Sequence, residues 1–400
     1  MLAYRVRFLA AAGAAVLGLS LAACSSSSSS SSASSSGSSS ASSSGAASSG
    51  TSSSAGSAST TYPALAKYIT GLEQRPTSIG ISTPVGAPIP KGKTIAYVQC
   101  GSPACVVDGD LLQQAVNVVG WKMSRINAGL TVQTIQEAWQ QAVSDHPDAV
   151  ITSGTPRSLF NPELAQLAAS HIPVVDLTTA DTPGNGLSAV FGWGSQWSSQ
   201  GKIIADYMLV NDGGKPLHEL SVNVSAYPNI SMISTAVGQQ ITANCSSCTT
   251  DTLDVPVSSI GTDLASRIVS YLSAHPDVNW VYVGFADMMT GLPSALSAAG
   301  LSGVHTVTID HTAASNEYLA NGQSLEMFSG FDLGEMMWRS VDYLARLWTG
   351  KPTAVDTNIN GLPLWVVTKA GQPTGDPTTG YFPFVANYQS QYESLWGVSK

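Results

Sequence analysis

Residues 93–126 read KTIAYVQCGSPACVVDGDLLQQAVNVVGWKMSRI and contain a pattern that recurs along most of the chain. The apolar stretch Lys93–Gln99 predicts a buried strand. Val106–Gly120 has apolar residues at helical spacing and stops at glycine, which is typical of a helix. Lys122–Ile126 predicts a second strand. A strand–helix–strand unit of this kind favours two parallel strands joined by a crossover helix.

The same alternation continues to the C-terminus. An amphipathic piece at 62–73 comes first, and further helices are predicted at 131–144, 162–170, 196–210, 229–243, 260–274, 287–299, 313–320, 332–349 and around 388–396. Strands are predicted between them at 149–152, 172–177, 188–191, 218–224, 249–255, 279–284, 304–309, 324–329 and 363–368. Repeated βα units predict an α/β protein with parallel sheets flanked by helices on both faces. Two runs of similar length predict two similar lobes.

The first 60 residues differ from this pattern. Residues 1–23 combine the basic Arg5 and Arg7 with a short apolar core and end in Leu-Ala-Ala before Cys24. This order resembles the bacterial lipobox and predicts a signal peptide (1–23) followed by a lipidated Cys24. The alternative is an ordinary secretory signal with a chance cysteine. Either interpretation predicts export, and a lipid on Cys24 would anchor the protein to a membrane without spanning it.

A serine-rich stretch follows the cysteine. Residues 25–60 contain 24 serines among 36 positions and no charge, so we expect a flexible tether over 24–60. Residues 61–92 are then an N-terminal extension with a Pro/Gly-rich connector from Arg75 to Gly92. The length of the remaining chain suffices for two lobes with their own cores.

The charge balance excludes some classes of protein. The 400-residue chain has 17 basic and 26 acidic residues, a net charge of −9. An acidic protein without a basic patch is not expected to bind nucleic acid. No run of 18 or more apolar residues follows the first 23, so no transmembrane helix is predicted.

Four cysteines remain after Cys24: Cys100, Cys105, Cys245 and Cys248. An even number in an exported chain favours disulfides, and three pairings are possible. We favour the short-range pairing Cys100–Cys105 and Cys245–Cys248. The C-x-x-C at 245–248 could be a redox motif, but it follows a predicted helix, whereas a reactive pair usually precedes one. No histidine lies at ligand spacing from either pair, so no zinc site is predicted.

Spaced landmarks then resemble a known family. They are KTIAYV (93–98), PDAVITSG (147–154), HIPVVDL (171–177), GKIIADYM (201–208), LSAHPDVNWVYVG (272–284), GLPSALSAAG (291–300), VTIDHT (307–312) and NGQSLEMFSGFDLGEMMWRSVDYLARLWTGKP (321–352). Their order and spacing are similar to those of the type 1 periplasmic binding proteins, in the ribose-binding-like branch that serves ABC importers.

The resemblance implies two Rossmann-like lobes joined by three crossings, with a ligand between them. The crossings would lie near 190–195, near Gly330 and near 350–362. The N-terminal lobe would comprise 93–190 and 331–349, and the C-terminal lobe 195–329 and 350–385, followed by a C-terminal helix in 386–400. Binding at the carboxyl ends of parallel strands is also expected on physical grounds.

The resemblance also places ligand-binding residues. In the loop after the first strand it places Ser102, with Asp108 further on. The positions of the family's carboxylate and guanidinium fall on Thr178 and Thr179, with Asp181 near enough to compensate, and a second arginine position falls near Thr235. After the later strands it places Phe285, Asp287 and Asp310, the last with the alternative role of a helix cap.

Aromatic residues near the crossings could cover the apolar faces of a sugar ring, or could pack in the core. They are Phe191, Trp193, Trp197, Tyr227 and Phe331.

The function expected from these features is capture of a small molecule, a sugar or sugar-like compound, by a monomeric lipoprotein that delivers it to an ABC transporter permease. The alternative is a sensory lipoprotein that serves a sensor kinase and binds a less polar or cationic ligand. An exported hydrolase is less favoured, because no G-x-S-x-G, P-loop or H-E-x-x-H motif occurs. A sugar-responsive repressor conflicts with the export signal. No cofactor and no metal are predicted.

Overall fold

The computed structural model describes residues 61–192, 194–351 and 361–398. The predicted signal peptide, Cys24 and the serine-rich tether lie outside the described residues, as do Trp193 and most of the third predicted crossing at 350–362. Within the described ranges, none of the helices combines the length and the apolar character needed to span a bilayer.

Five parallel strands form the first sheet. They are β1 (Thr94–Gln99), β2 (Lys122–Asn127), β3 (Ala149–Ser153), β4 (Val174–Leu177) and β5 (Leu187–Phe191). Their order is β2-β1-β3-β4-β5. At the centre, Tyr97 on β1 is aligned with Arg125 on β2 and Ile151 on β3. Every residue of β3 and β4 is buried, as expected for strands covered by helices on both faces.

The second sheet is larger and mixed. It contains β6 (His218–Asn223), β7 (Thr249–Asp254), β8 (Trp280–Val283), β9 (His305–Ile309), β10 (Leu325–Phe331) and β11 (Leu364–Thr368). The order is β11-β10-β9-β8-β6-β7, and all pairs are parallel except β10 with β11.

Helices cover both sheets. The α-helices of the described chain are α1 (Pro63–Leu72), α2 (Pro103–Val119), α3 (Val132–Ser144), α4 (Asn161–Ala169), α5 (Ser195–Asn211), α6 (Pro228–Asn244), α7 (Leu264–Ala274), α8 (Leu292–Ala298), α9 (Ala313–Asn321), α10 (Leu333–Trp348) and α11 (Tyr388–Trp396). Two parallel-dominated α/β sheets flanked by helices confirm the predicted fold class. The lobe boundaries given above stay a prediction.

Three helix predictions are wrong in their bounds. The helix expected at 287–299 is two pieces, a 3-10 turn at Ala286–Met289 and α8, because Gly291 takes a left-handed conformation (φ 75°) between them. The helix expected from 260 begins at Leu264, after a 3-10 turn at Val257–Ser259. Helix α2 begins at Pro103, three residues before the predicted start, because Ser102 caps it and proline suits its first turn.

The N-terminal extension contacts elements of both sheets. Helix α1 packs on α5 and β11, which belong to the second sheet's side. Arg75 then donates to the carbonyls of Pro383 and Phe384, at 2.7 and 3.0 Å. Further along, Ile79 and Val85 are buried in the core that includes α2 and α10. The extension is therefore a strap along one side of the molecule.

Helix α10 holds this strap through buried charge. Arg339 Nη2 donates to the Ile79 carbonyl at 2.5 Å, and Arg346 Nη2 donates to the Thr83 carbonyl at 2.6 Å. Each arginine also pairs with an acid four residues earlier, Arg339 with Glu335 and Arg346 with Asp342, both at 2.7 Å. The C-terminal α11 packs on α10 and α2, so the strap and the C-terminal helix both contact α10.

Candidate functional site

The loop after β1 is shaped by a disulfide. Cys100 and Cys105 are bonded, with their Cα atoms 5.7 Å apart, so the bond joins the loop to the first turn of α2. Ser102 lies inside this ring and caps α2 by accepting from the Ala104 amide at 3.3 Å. The Cys105 carbonyl also accepts from the Tyr97 hydroxyl at 3.2 Å. The loop is thus held against the end of β1 by several independent contacts.

Residues from the two sheets meet directly at their carboxyl ends. Ser102, after β1, donates its hydroxyl proton to Asp287 Oδ2 at 2.6 Å, and Asp287 follows β8. Asn229, in the first turn of α6 after β6, donates to the carbonyl of Thr178, which follows β4, at 3.3 Å. The two bonds show that the carboxyl edges of the sheets face each other and are closed on one another. We call this region the interlobe edge.

Two carboxylates at the interlobe edge have no side-chain partner in the described part of the chain. Asp108 on α2 is 4% exposed, and no described residue forms a hydrogen bond or ion pair with its side chain. Asp310, directly after β9, has a left-handed backbone (φ 61°) and likewise no side-chain partner among the described residues. Burial, reinforced by Asp310, Asp332 and Asp287, raises the pKa of Asp108 well above its usual range. Burial and then Asp287 raise the pKa of Asp310 to about 7. The helix-cap alternative for Asp310 does not apply, since Thr312 caps α9.

Thr179 and Asp181 both bond to residues in or directly after strands of the first sheet. Thr179 donates to Asp176 Oδ2 at 2.5 Å. Asp181 pairs with Arg157 Nε at 3.2 Å and accepts from the Arg157 backbone amide at 2.8 Å. Asp181 therefore neutralises an arginine on its own side of the molecule. The side chain of Asp108, by contrast, has no such ion pair among the described residues.

The aromatic residues near the crossings divide into two groups. Phe191, Trp197 and Phe331 are buried in the core. Trp197 donates its indole proton to the Thr179 carbonyl at 2.8 Å, and its ring meets Phe331 edge-on at 5.7 Å. This placement leaves little ring surface for a ligand and favours the core-packing alternative for these three.

Tyr227 and Phe285 form the second group. Both are half-buried, they follow β6 and β8, and their ring centroids are 6.2 Å apart. Both pack partly against the cores of the two sheets, and their remaining exposed surface suits stacking on a sugar ring.

Two other predicted features lie away from this edge. Thr235 is two turns into α6, about 10 Å along the helix axis from its start, in an open depression with Ser198, Ser231, Met232, Ala236 and Gln239. The second disulfide, Cys245–Cys248, lies in the loop that enters β7 at its amino end. At this position the disulfide stabilises a loop, as expected from the short-range pairing of the cysteines.

Sequence reasoning missed three residues at or near the edge. Asp332 begins α10 and is 1% exposed; its D-x-x-E spacing to Glu335 is a helix-start pattern that could have identified it. Arg157 follows β3, outside the arginine positions that the family resemblance supplied. Asn229 carries no pattern beyond its place after Pro228 at a helix start.

Comparison with known proteins agrees with this geometry. A sequence model of the periplasmic binding protein domain matches residues 99–352. A search of curated protein sequences gives no match.

Several solved structures share the fold. A solute-binding protein from Agrobacterium vitis bound to α-D-tagatopyranose is 17% identical to this chain, with a TM-score of 0.61. The match covers 71% of this chain and 97% of the Agrobacterium chain. A periplasmic ribose ABC transporter protein from Conexibacter woesei is 18% identical, with a TM-score of 0.60. The match covers 71% of this chain and 95% of the Conexibacter chain. A carbohydrate transporter protein from Acidothermus cellulolyticus in complex with myo-inositol is 16% identical, with a TM-score of 0.57. The match covers 77% of this chain and 100% of the Acidothermus chain.

The family match spans more than half of the chain, and the two facing α/β sheets are the architecture that the resemblance implies. The chain belongs to the periplasmic binding protein domain family.

Proposed function

We propose that the protein is an extracytoplasmic, lipid-anchored solute-binding protein that captures a sugar or sugar-like polyol between its lobes. The observation that carries this proposal is the interlobe edge, where the Ser102–Asp287 and Thr178–Asn229 hydrogen bonds join the carboxyl ends of parallel strands in the two sheets. Ligands of α/β folds bind at such ends, and a hinge that opens these two bonds would expose the site.

Sugar chemistry is supported by the residues at this edge and by similar structures. Ser102, Thr178 and the carboxylates offer donors and acceptors for hydroxyl groups, and Tyr227 with Phe285 offers an apolar surface for ring carbons. Structures of the same fold contain α-D-tagatopyranose, allitol and myo-inositol. These ligands are the starting panel for this chain.

A ligand panel tests the binding proposal. Full-length protein is heated with and without D-tagatose, D-ribose, allitol and myo-inositol, and Tm is recorded. Binding to the folded state raises Tm, and a concentration of about 100 Kd adds roughly 2.7 kcal/mol to the unfolding free energy. We expect a saturable rise with members of one stereochemical class and a smaller rise for Ser102→Ala. No rise with any sugar or polyol would contradict the proposal.

Delivery to an ABC importer and attachment through Cys24 complete the proposal. The order of charge, apolar core and small residues before Cys24 supports lipidation, and the serine-rich 25–60 would hold the lobes away from the membrane. A sensor kinase would use the same site, so uptake of labelled ligand by cells with and without the protein separates the two partners.

Lipidation has its own measurement. We expect the protein to stay with the membrane fraction and the Cys24→Ser variant to be released, because a single thiol carries the anchor. Cys248→Ser, which removes a thiol from the folded part, is the control and should leave membrane association unchanged. Release of the unsubstituted protein into the soluble fraction would contradict anchoring.

A further inference from the structure

Two polar side chains at the interlobe edge are more than nine-tenths buried and have no partner among the residues that the structure describes. Asp108 is 4% exposed and Gln99 is 8% exposed, and no described residue bonds to either side chain. Gln99 ends β1 on the same sheet face as Tyr97, whose hydroxyl bonds to Cys105 on α2. Gln99 therefore lies on the α2 side of the sheet, where α2 carries Asp108. The polar atoms of both side chains still reach solvent, so a ligand at this edge can bond to them directly.

The charges around Asp108 are negative. Asp310, Asp332 and Asp287 all act on Asp108 and raise its pKa, after burial itself. Asp310 also lacks a side-chain partner among the described residues. The arginines of the predicted first lobe are already paired: Arg125 with Asp110, Arg157 with Asp181, Arg339 with Glu335 and Arg346 with Asp342. The interlobe edge thus has carboxylates from both lobes and, in the described part of the chain, no arginine free to neutralise them.

We propose that the captured ligand carries a protonated amine, which Asp108 of the first lobe and Asp310 of the second hold between them. This inference rests on the proposed function and narrows its ligand to amine-bearing sugars or polyols. An ammonium group between the two carboxylates removes their repulsion across the edge and adds a charge-assisted hydrogen bond on each side. Ligand hydroxyls bond to Gln99 and Ser102, and ring carbons pack on Tyr227 and Phe285.

A single metal ion fits the arrangement less well than an organic cation. Across the described ranges, no group of three or more His, Cys, Asp or Glu side chains is spaced to hold a metal. An amine on a polyhydroxy frame needs only one or two carboxylates and uses the remaining polar groups for its hydroxyls. Calcium is nevertheless included in the test.

The test compares matched ligands that differ in one amine. Calorimetric titrations of full-length protein at pH 7.5 use glucosamine against glucose, glucamine against sorbitol, N-acetylglucosamine as a neutral relative, and calcium chloride. We expect at least tenfold tighter binding of an amine-bearing member than of its neutral partner, and a weaker preference at high salt because the contact is ionic. Equal affinity for amine and neutral members would overturn the inference and leave the sugar-binding proposal standing. Absence of binding by every organic ligand would contradict both.

Variants test whether the two carboxylates cause the amine preference, or whether any change in a buried acidic residue would alter it. Asp108→Asn and Asp310→Asn should each reduce the ratio of amine affinity to neutral-partner affinity at least tenfold, because an amide keeps the hydrogen-bonding capacity but not the charge that attracts an ammonium group. Glu219→Gln, which replaces a buried carboxyl near the amino end of β6, is the control and should not change the preference. An unchanged preference in both Asp variants would overturn the assignment. Calcium binding that is lost in the same variants, with no amine preference, would overturn it in favour of a metal site.

Discussion

Replacing Arg339 by alanine is expected to lower the free energy of unfolding by about 3–5 kcal/mol. The Arg339–Glu335 pair is almost completely buried, and Arg339 also bonds to the Ile79 carbonyl of the strap. Removing the arginine leaves Glu335 in the core with the Tyr392 hydroxyl as its one remaining side-chain partner among the described residues. For a folded chain of this size we expect Tm to fall by roughly 4–7 °C. Thermal unfolding followed by circular dichroism measures it.

A pair of the same geometry on the surface is the control. Arg267 and Asp263 are also four residues apart on one helix, at 2.8 Å, but both side chains are about half exposed, at 49% and 51%. Exposed pairs contribute little to stability, so Arg267→Ala should leave Tm nearly unchanged. If the two variants lost the same stability, the claim that buried charge on α10 holds the strap would be wrong.

Replacing Asp332 by alanine is expected to cost a similar amount, about 3–5 kcal/mol, through lost hydrogen bonds. Asp332 accepts from the Glu335 amide at 3.1 Å, from the Tyr381 hydroxyl at 2.8 Å and from the Phe384 amide at 2.7 Å. The change removes the cap of α10 and leaves buried donors of the C-terminal segment unpaired. We therefore expect both a lower Tm and faster proteolytic cleavage between residues 369 and 387.

Asp376 provides the matched comparison. It also accepts three hydrogen bonds, from the amides of Thr378 and Thr379 and from the Thr379 hydroxyl, but it is exposed. Water can replace these bonds, so Asp376→Ala should have a much smaller effect on Tm. Unchanged cleavage of the C-terminal segment in Asp332→Ala would show that Asp332 does not hold it.

Hydrophobic periodicity predicts the sheets well because burial on both faces leaves apolar runs such as those of β1 and β8. It fails where one backbone angle decides the path. The break between 286–289 and α8 depends on Gly291, and glycine inside an apolar periodic stretch is compatible with either a continuous or a broken helix.

The candidate site was predictable in part. Ser102, Asp287 and Asp310 follow strands, and parallel strands bring their carboxyl ends to one edge, so their proximity follows from the topology. The pairing of Asp181 with Arg157 could not be predicted, since the two residues follow different strands and either could face the ligand. Burial of Trp197 and Phe331 depends on packing between elements far apart in sequence, which periodicity does not contain.

The strap was visible in the sequence only as an extension with a Pro/Gly-rich connector. The strap contacts α10 through Arg339 and Arg346. In the sequence, each of these arginines forms an i, i+4 pair with an acid, and such pairs are typical of exposed helix faces. In the structure those arginines are buried because the strap and α11 cover them. Their role depends on chain segments more than 250 residues away, as the separation of Arg339 from Ile79 shows.

The most direct test of a ligand trap between two lobes is a crystal structure of the full-length protein grown with the sugar, polyol or amine that raises Tm most. We predict that the ligand lies between the two sheets, within hydrogen-bonding distance of Ser102, Asp108 or Asp310, and in contact with Tyr227 or Phe285. A ligand seated elsewhere, for example in the depression beside Thr235, with the interlobe edge unchanged, would contradict the account.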